Sequence, residues 1–171
     1  MDEKEVIVNL FRYNSHVRKK YLDAMEQIDW AEMEKNRESS FHSVRGVFLH
    51  VLDAYTWWLL YAVEDRSSEY RKLNADDFTS VESLRKAEKD TDAIIMKFVE
   101  GIAGNRLDDK FTFHGRQKAY TLIIRDMLLH LVEEELQHRG EINCMFWQMN
   151  VEPPVTGYDD WIEERFSGPD K

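Results

Sequence analysis

The chain has 171 residues, with 33 acidic side chains against 23 basic ones, a formal net charge of -10 and a pI near 5.1. That balance excludes an extended phosphate-binding surface, which needs clustered Lys and Arg. The content of 43% hydrophobic and 12% aromatic residues excludes a disordered chain.

The length suits one domain over residues 1–171 with a core of its own. Cys144 is the single cysteine, so an internal disulfide framework is excluded and a reducing compartment fits. The opening MDEKEV lacks the apolar run of a signal peptide, and no stretch reads as the roughly 20 apolar residues of a membrane span. The expectation is a cytoplasmic protein with no nucleic-acid and no membrane partner.

Taken in chain order, Ile7, Leu10, Val17, Tyr21, Met25 and Ile28 recur at helical spacing and predict a first helix over Glu3 to Ile28. Asn14 falls inside that apolar stripe, where a polar group needs a partner or a task. The run Arg18-Lys19-Lys20 reads as a solvated helix face. A polar connection follows, with room for one helical turn between Asp29 and Ser40.

Ser39 or Ser40 then suits the cap of a second helix, Phe41 to Val63. That helix is apolar on two stripes: Val44, Phe48, Val51, Tyr55 and Trp58, and Val47, His50, Ala54, Trp57 and Tyr61. A helix apolar on two faces is buried on two faces, within a bundle or against a second subunit. Residues 64–78 have no apolar period and read as a long crossing loop, which can return the chain parallel to the preceding helix. Thr79 caps a third helix to about Ile102, with Val81, Leu84, Ala87, Ala93, Ile94, Phe98 and Val99 as its apolar positions.

Between Leu107 and Leu122 the pattern alternates around His114-Gly115, which predicts a small two-stranded hairpin. Thr121 would cap a fourth long helix to about Asn150, with Cys144 as a small core residue on it. Pro153-Pro154 breaks the chain before a short helix over Asp160 to Phe166. The fold class is all-α: a four-helix bundle with a long crossover between helices two and three, a β-hairpin before helix four and a short C-terminal helix.

On the fourth helix Glu134 and His138 lie four residues apart, so both leave the same face. With His50 from the second helix they form a candidate ligand set of two imidazoles and a carboxylate, suited to a borderline divalent ion. Zinc ranks first, with nickel, manganese and iron as other candidates. Three protein ligands leave a position open, as catalytic rather than structural zinc requires. The bland alternative is a surface Glu–His pair and a hydrogen-bonded core histidine. His130, one turn before Glu134, is an alternative or supporting group, and His42 falls near the mouth of such a site. No Gly-rich phosphate loop or serine nucleophile elbow is present.

The segment LHLVEEELQHRGEI, preceded by FLHVLDAYTWWL and followed by MNVEPP, resembles the DinB/YfiT-like family of metalloenzymes. Tyr13-Asn14 and SSFHSV ahead of the second helix share the likeness, which spans nearly the whole chain. The resemblance implies a four-helix bundle, frequently dimeric, with a three-ligand metal site. The family's histidine in the second helix matches His50, and its last ligand, ahead of Arg-Gly, matches His138. Its middle ligand is histidine in many members, where this chain has Glu134. Such a His-Glu-His set is similar to that of the mycothiol-dependent maleylpyruvate isomerases of the superfamily. Gln137 also stands where many members have histidine.

The resemblance further implies use of a low-molecular-weight thiol, bound as thiolate and directed at an electrophilic small-molecule substrate. Asn14, Trp57 and Arg139 could then line the pocket or orient a carboxylate of the thiol. The first expectation is a homodimeric, thiol-dependent S-transferase or related metalloenzyme. Its rivals are a metal-dependent hydrolase with Glu134 as base, and a non-enzymatic dimeric stress-response or scaffold protein with a vestigial site. An enzyme calls for a cleft beside His50 and His138; a scaffold calls for that space to be filled.

Overall fold

The structure, a computed structural model, describes residues 2–115 and 118–166. Helix α1 (Glu3–Met25) starts at Asp2, whose side chain accepts the Glu5 amide at 2.8 Å. Acidic Glu3 and Glu5 occupy its first turn, where carboxylates suit the positive end of the helix dipole. A short α2 (Trp30–Glu34) precedes α3 (Val44–Thr56), which runs on as a π-helical segment over Trp57–Val63. Helix α4 (Val81–Gly101) leads to the antiparallel strands β1 (Lys110–His114) and β2 (Ala119–Ile123), with Lys110 opposite Ile123 and His114 opposite Ala119. The chain ends in α5 (Ile124–Gln148) and α6 (Tyr158–Phe166).

Cross-helix pairs give the directions of the four long helices. Arg12–Glu100, Arg18–Glu88 and Arg85–Asp23 make α1 antiparallel to α4. Arg125–Glu3 and Tyr21–Asn143 make α1 parallel to α5, and His50–Glu134 followed by Tyr55–Leu131 makes α3 antiparallel to α5. Helices α3 and α4 therefore run the same way, so the connection between them must traverse the bundle.

The core forms two apolar layers. One gathers Ile7, Phe11, Tyr55, Leu59, Ile95 and Leu128; the other gathers Tyr21, Leu22, Phe48, Leu52, Leu84 and Phe146. Each fully buried leucine contributes about 1.5–3 kcal/mol relative to an exposed one. Asn14, Arg18, Glu88, Thr91, Glu135, His138 and Arg139 are buried polar residues. On α1, Asn14 falls between Phe11 of the first layer and Val17 of the second, and Arg18 follows Val17.

Local differences from the sequence reading have physical causes. The cap of α3 is Ser43, accepting the Gly46 amide at 3.0 Å, because the Ser40 hydroxyl is engaged by Glu141 and His42 is turned to a φ of 67°. Ser80, in a mutual capping pair with Ser83, starts α4 in place of Thr79. Thr121 is a strand residue whose hydroxyl lies 2.9 Å from that of Thr112, so α5 begins at Ile124 without a side-chain cap.

The wider π turns re-aim the end of the second long helix. Leu59 and Leu60 enter the core, whereas Trp58 is half-buried and Tyr61 exposed. On α4 Ile95 is buried where Ala93 and Ile94 were expected, and Ala93 faces out. Cys144, expected in the core, is exposed. Arg18, expected in solvent, is 3% exposed. The helical stretch Val44–Val63 is long and apolar enough by length and composition to cross a membrane, contrary to the expectation that none is; 56% of it is buried inside the fold, as suits a core helix.

Candidate metal centre

Two antiparallel helices bring the candidate ligands together. His50 lies near the middle of α3, and Glu134 and His138 lie one turn apart on the facing side of α5. His50 Nε2 is 3.0 Å from Glu134 Oε1, and His138 Nε2 is 3.2 Å from the same oxygen. One ligand atom from each residue lies within 4.8 Å of the other two, so the group can hold a metal ion.

The chemistry of the donors fits an ion as well as the spacing does. A carboxylate oxygen of Glu141 lies 2.5 Å from His138 Nδ1, which leaves the Nε2 side of that ring to face Glu134. A carboxylate behind an imidazole fixes its tautomer and strengthens it as a ligand. Burial pushes the Glu134 carboxyl up, but hydrogen bonds from His50 and His138 outweigh it and hold the group below the usual carboxylate range. The Glu141 carboxyl is likewise held low against burial, by His138 and by Ser40.

The loop before α3 completes the surroundings. Both the amide and the hydroxyl of Ser40 contact Glu141, at 3.1 and 2.8 Å. The Phe41 ring stacks on His50 with centroids 3.7 Å apart and meets His138 edge-on at 5.5 Å. In the sequence Ser40 stands out only as a helix cap and Phe41 only as the start of the second helix, and Glu141 is given no role in the site. Glu141 had a signal, since it follows His138 by three residues on the same helix face. Ser40 and Phe41 were misplaced instead: the second helix was expected from Phe41, but α3 begins at Val44 behind the Ser43 cap, which leaves both residues in the preceding loop.

Other candidates fall elsewhere. His130 forms a second group with Glu133 and Glu134 that satisfies the same spacing, but His130 and Glu133 are exposed. Asn14 and Arg139 are brought together with each other: Arg139 donates to Asn14 Oδ1 at 3.0 Å and to the Tyr13 hydroxyl at 2.8 Å, and the Asn14 side-chain amide donates to Tyr55. Trp57 stacks on Tyr61 and packs edge-on against Phe113. A cleft of about 770 Å³ opens between the π-helical segment and α4, lined by Leu59, Ile94, Lys97 and Phe98 among others, and includes none of the three candidate ligands.

The fold and the site together define a helical bundle with a histidine–carboxylate centre between two of its long helices. The sequence model of the DinB family matches residues 1–165, and the chain belongs to that family. No curated protein matches the chain.

Proposed function

We propose that this protein is a cytoplasmic, divalent-metal-dependent enzyme that uses a low-molecular-weight thiol on an electrophilic small molecule, as an S-transferase or a related isomerase. The observation that carries the reading is the convergence of the His50 and His138 Nε2 atoms on one Glu134 oxygen, with Glu141 behind His138. Zinc suits two imidazoles and a carboxylate best, with nickel, manganese or iron as the alternatives. A bound ion of this kind lowers the pKa of a thiol or water and supplies a nucleophile near neutral pH.

The chain's own residues divide the remaining work. His50 and His138 would hold an ion through their Nε2 lone pairs, with the Glu141 carboxylate accepting a hydrogen bond from His138 Nδ1–H. Asn14 and Arg139 serve by tying α1 to α5, with the two Arg139 Nη atoms on the Tyr13 hydroxyl and the Asn14 side-chain oxygen and the Asn14 side-chain amide on Tyr55. Calorimetric titration of zinc into metal-stripped protein should give one site per chain, weakened by more than about 100-fold in each of His50→Ala, Glu134→Ala and His138→Ala. Binding indifferent to all three would remove the site. Given a site, an electrophile is then assayed with and without a panel of thiols. Thiol-independent turnover would turn the reading to metal-dependent hydrolysis with Glu134 as base.

The non-enzymatic scaffold reading has one observation in its favour: Phe41 lies against both imidazoles, in space where an enzyme needs room for substrate. Under either reading we propose a homodimer. Leu129, Leu136 and Trp147 leave an exposed apolar line along α5, with Leu136 and Trp147 each 59% accessible. Light scattering should report twice the chain mass at micromolar concentration; the mass of one chain would rule the dimer out.

A further inference from the structure

We infer that the loop carrying Ser40 and Phe41 belongs to the metal centre, and that Phe41 is the residue that selects, by size, which ligands reach the ion. The inference rests on the metal reading of His50, Glu134 and His138. Its basis is that one short loop touches both imidazoles by different means. Phe41 stacks face to face on His50, with an interplanar angle of 13°, and sets its ring nearly edge-on to His138. Ser40 reaches His138 through Glu141, whose two oxygens it holds with its amide and its hydroxyl.

The loop's position is imposed by its surroundings. Glu38 and His42, neither of them glycine, adopt φ values of 58° and 67° on either side of Phe41. Side chains with a Cβ occupy that left-handed region only where neighbouring contacts hold them. One such contact is the Ser43 amide, which donates to the Phe41 carbonyl at 2.8 Å. Another is the first turn of α3, which approaches so closely that a Cβ on Gly46 would stand 2.1 Å from that carbonyl oxygen. Phe41 itself is 36% exposed, so its ring has solvent on one side and the imidazoles on the other.

A phenyl ring in this place acts as a wall. It excludes water from the face of His50, and a ligand at the ion must fit beside it or displace it. A small thiol fits beside it, whereas a bulky thiol binds only as far as the ring yields. Glu141, held by Ser40, keeps His138 in one tautomer whichever thiol arrives.

The test uses the full-length protein loaded with cobalt(II) in place of its own metal, followed by its visible absorption under anaerobic conditions. 2-Mercaptoethanol and glutathione present the same donor atom with different bulk. In Phe41→Ala, glutathione should bind about tenfold more tightly than in the wild type, with 2-mercaptoethanol changed by less than about threefold. Phe41→Leu, which keeps apolar bulk in the loop, should fall between and serves as the test if the alanine variant does not fold. Cobalt bound through the triad with thiol affinities equal in wild type and variants would overturn this inference alone. So would a loss of both thiols together. Failure of the wild type to bind cobalt, or binding unaffected by His50→Ala, would overturn the metal reading and this inference with it.

Discussion

Glu134 and Glu135 are neighbours on one helix with the same functional group, and the fold puts them to opposite uses. The Glu134 side chain is 22% exposed and faces two imidazoles; that of Glu135 is 5% exposed and faces Arg18 and Tyr55. One residue on an α-helix turns the side chain by about 100°, enough to pass from the edge of the α3–α5 interface to its interior. Glu135 lies 2.8 Å from an Arg18 nitrogen, and the same guanidinium reaches Glu88 and Asp92 on α4 at 3.3 and 2.8 Å. Burial works against the Arg18 charge, but the facing carboxylates hold it protonated. The Tyr55 hydroxyl is pushed well up by burial and by Glu135, so it stays a donor to that carboxylate. The inner cluster joins four helices, through Arg18 on α1, Tyr55 on α3, Glu88 and Asp92 on α4 and Glu135 on α5. The outer cluster converges on one oxygen from two helices, an arrangement an added ion can take over.

The largest expected effect comes from breaking the inner cluster. Arg18→Met leaves three carboxylates without their shared cation in or near the core and should cost about 3–5 kcal/mol in urea unfolding. A loss under about 1 kcal/mol would mean that the network is not holding the core. Glu134→Gln is the matched change in the outer cluster. It keeps a polar group beside both histidines, so the metal-free protein should lose less than about 1 kcal/mol. Zinc affinity in calorimetry should nevertheless drop by more than about 100-fold. The contrast collapses if stability falls as far in Glu134→Gln as in Arg18→Met.

The outer cluster was largely legible in the sequence and the inner one was not. Glu134 and His138 share a helix, so their spacing alone puts them on one face, and His50 stood out as a polar residue on an apolar stripe. The DinB match over residues 1–165 adds the family context. Arg18 carries no such mark. It sits in a basic run, and its burial depends on Glu88, Asp92 and Glu135 arriving from two other helices. Asn14 showed its need for a partner through its place in a stripe, although the identity of Arg139 as that partner is tertiary. The π-helical turn beyond Thr56 was illegible because its residues continue an ordinary helical period, and Leu59 and Leu60 entered the core by the change of pitch. The place of Phe41 was missed for another reason: it was expected to open the second helix, and the cap at Ser43 leaves it in the loop before α3.

The smallest expected effect sharpens the comparison through its sign. In the metal-free protein the Glu134 carboxyl titrates below the ordinary value of 4.5, because its two histidine hydrogen bonds outweigh burial. Its contribution to stability is therefore complete above 4.5 and lost as pH falls through the lowered value. Glu88, in the inner cluster, is displaced the other way: burial raises it, with Asp92 adding to the rise and Arg18 opposing it. The folded state holds that proton more tightly than the unfolded chain does. Its contribution is complete below 4.5 and lost as pH rises through the raised value. Unfolding free energies measured from acid to neutral pH should separate the two. Glu134→Gln should flatten the loss of stability on the acid side of 4.5, and Glu88→Gln should flatten the loss on the other side. If both substitutions altered the same limb, the two carboxylates would share one electrostatic environment, and the division of α5 into an ion-facing edge and a core-facing interior would fail.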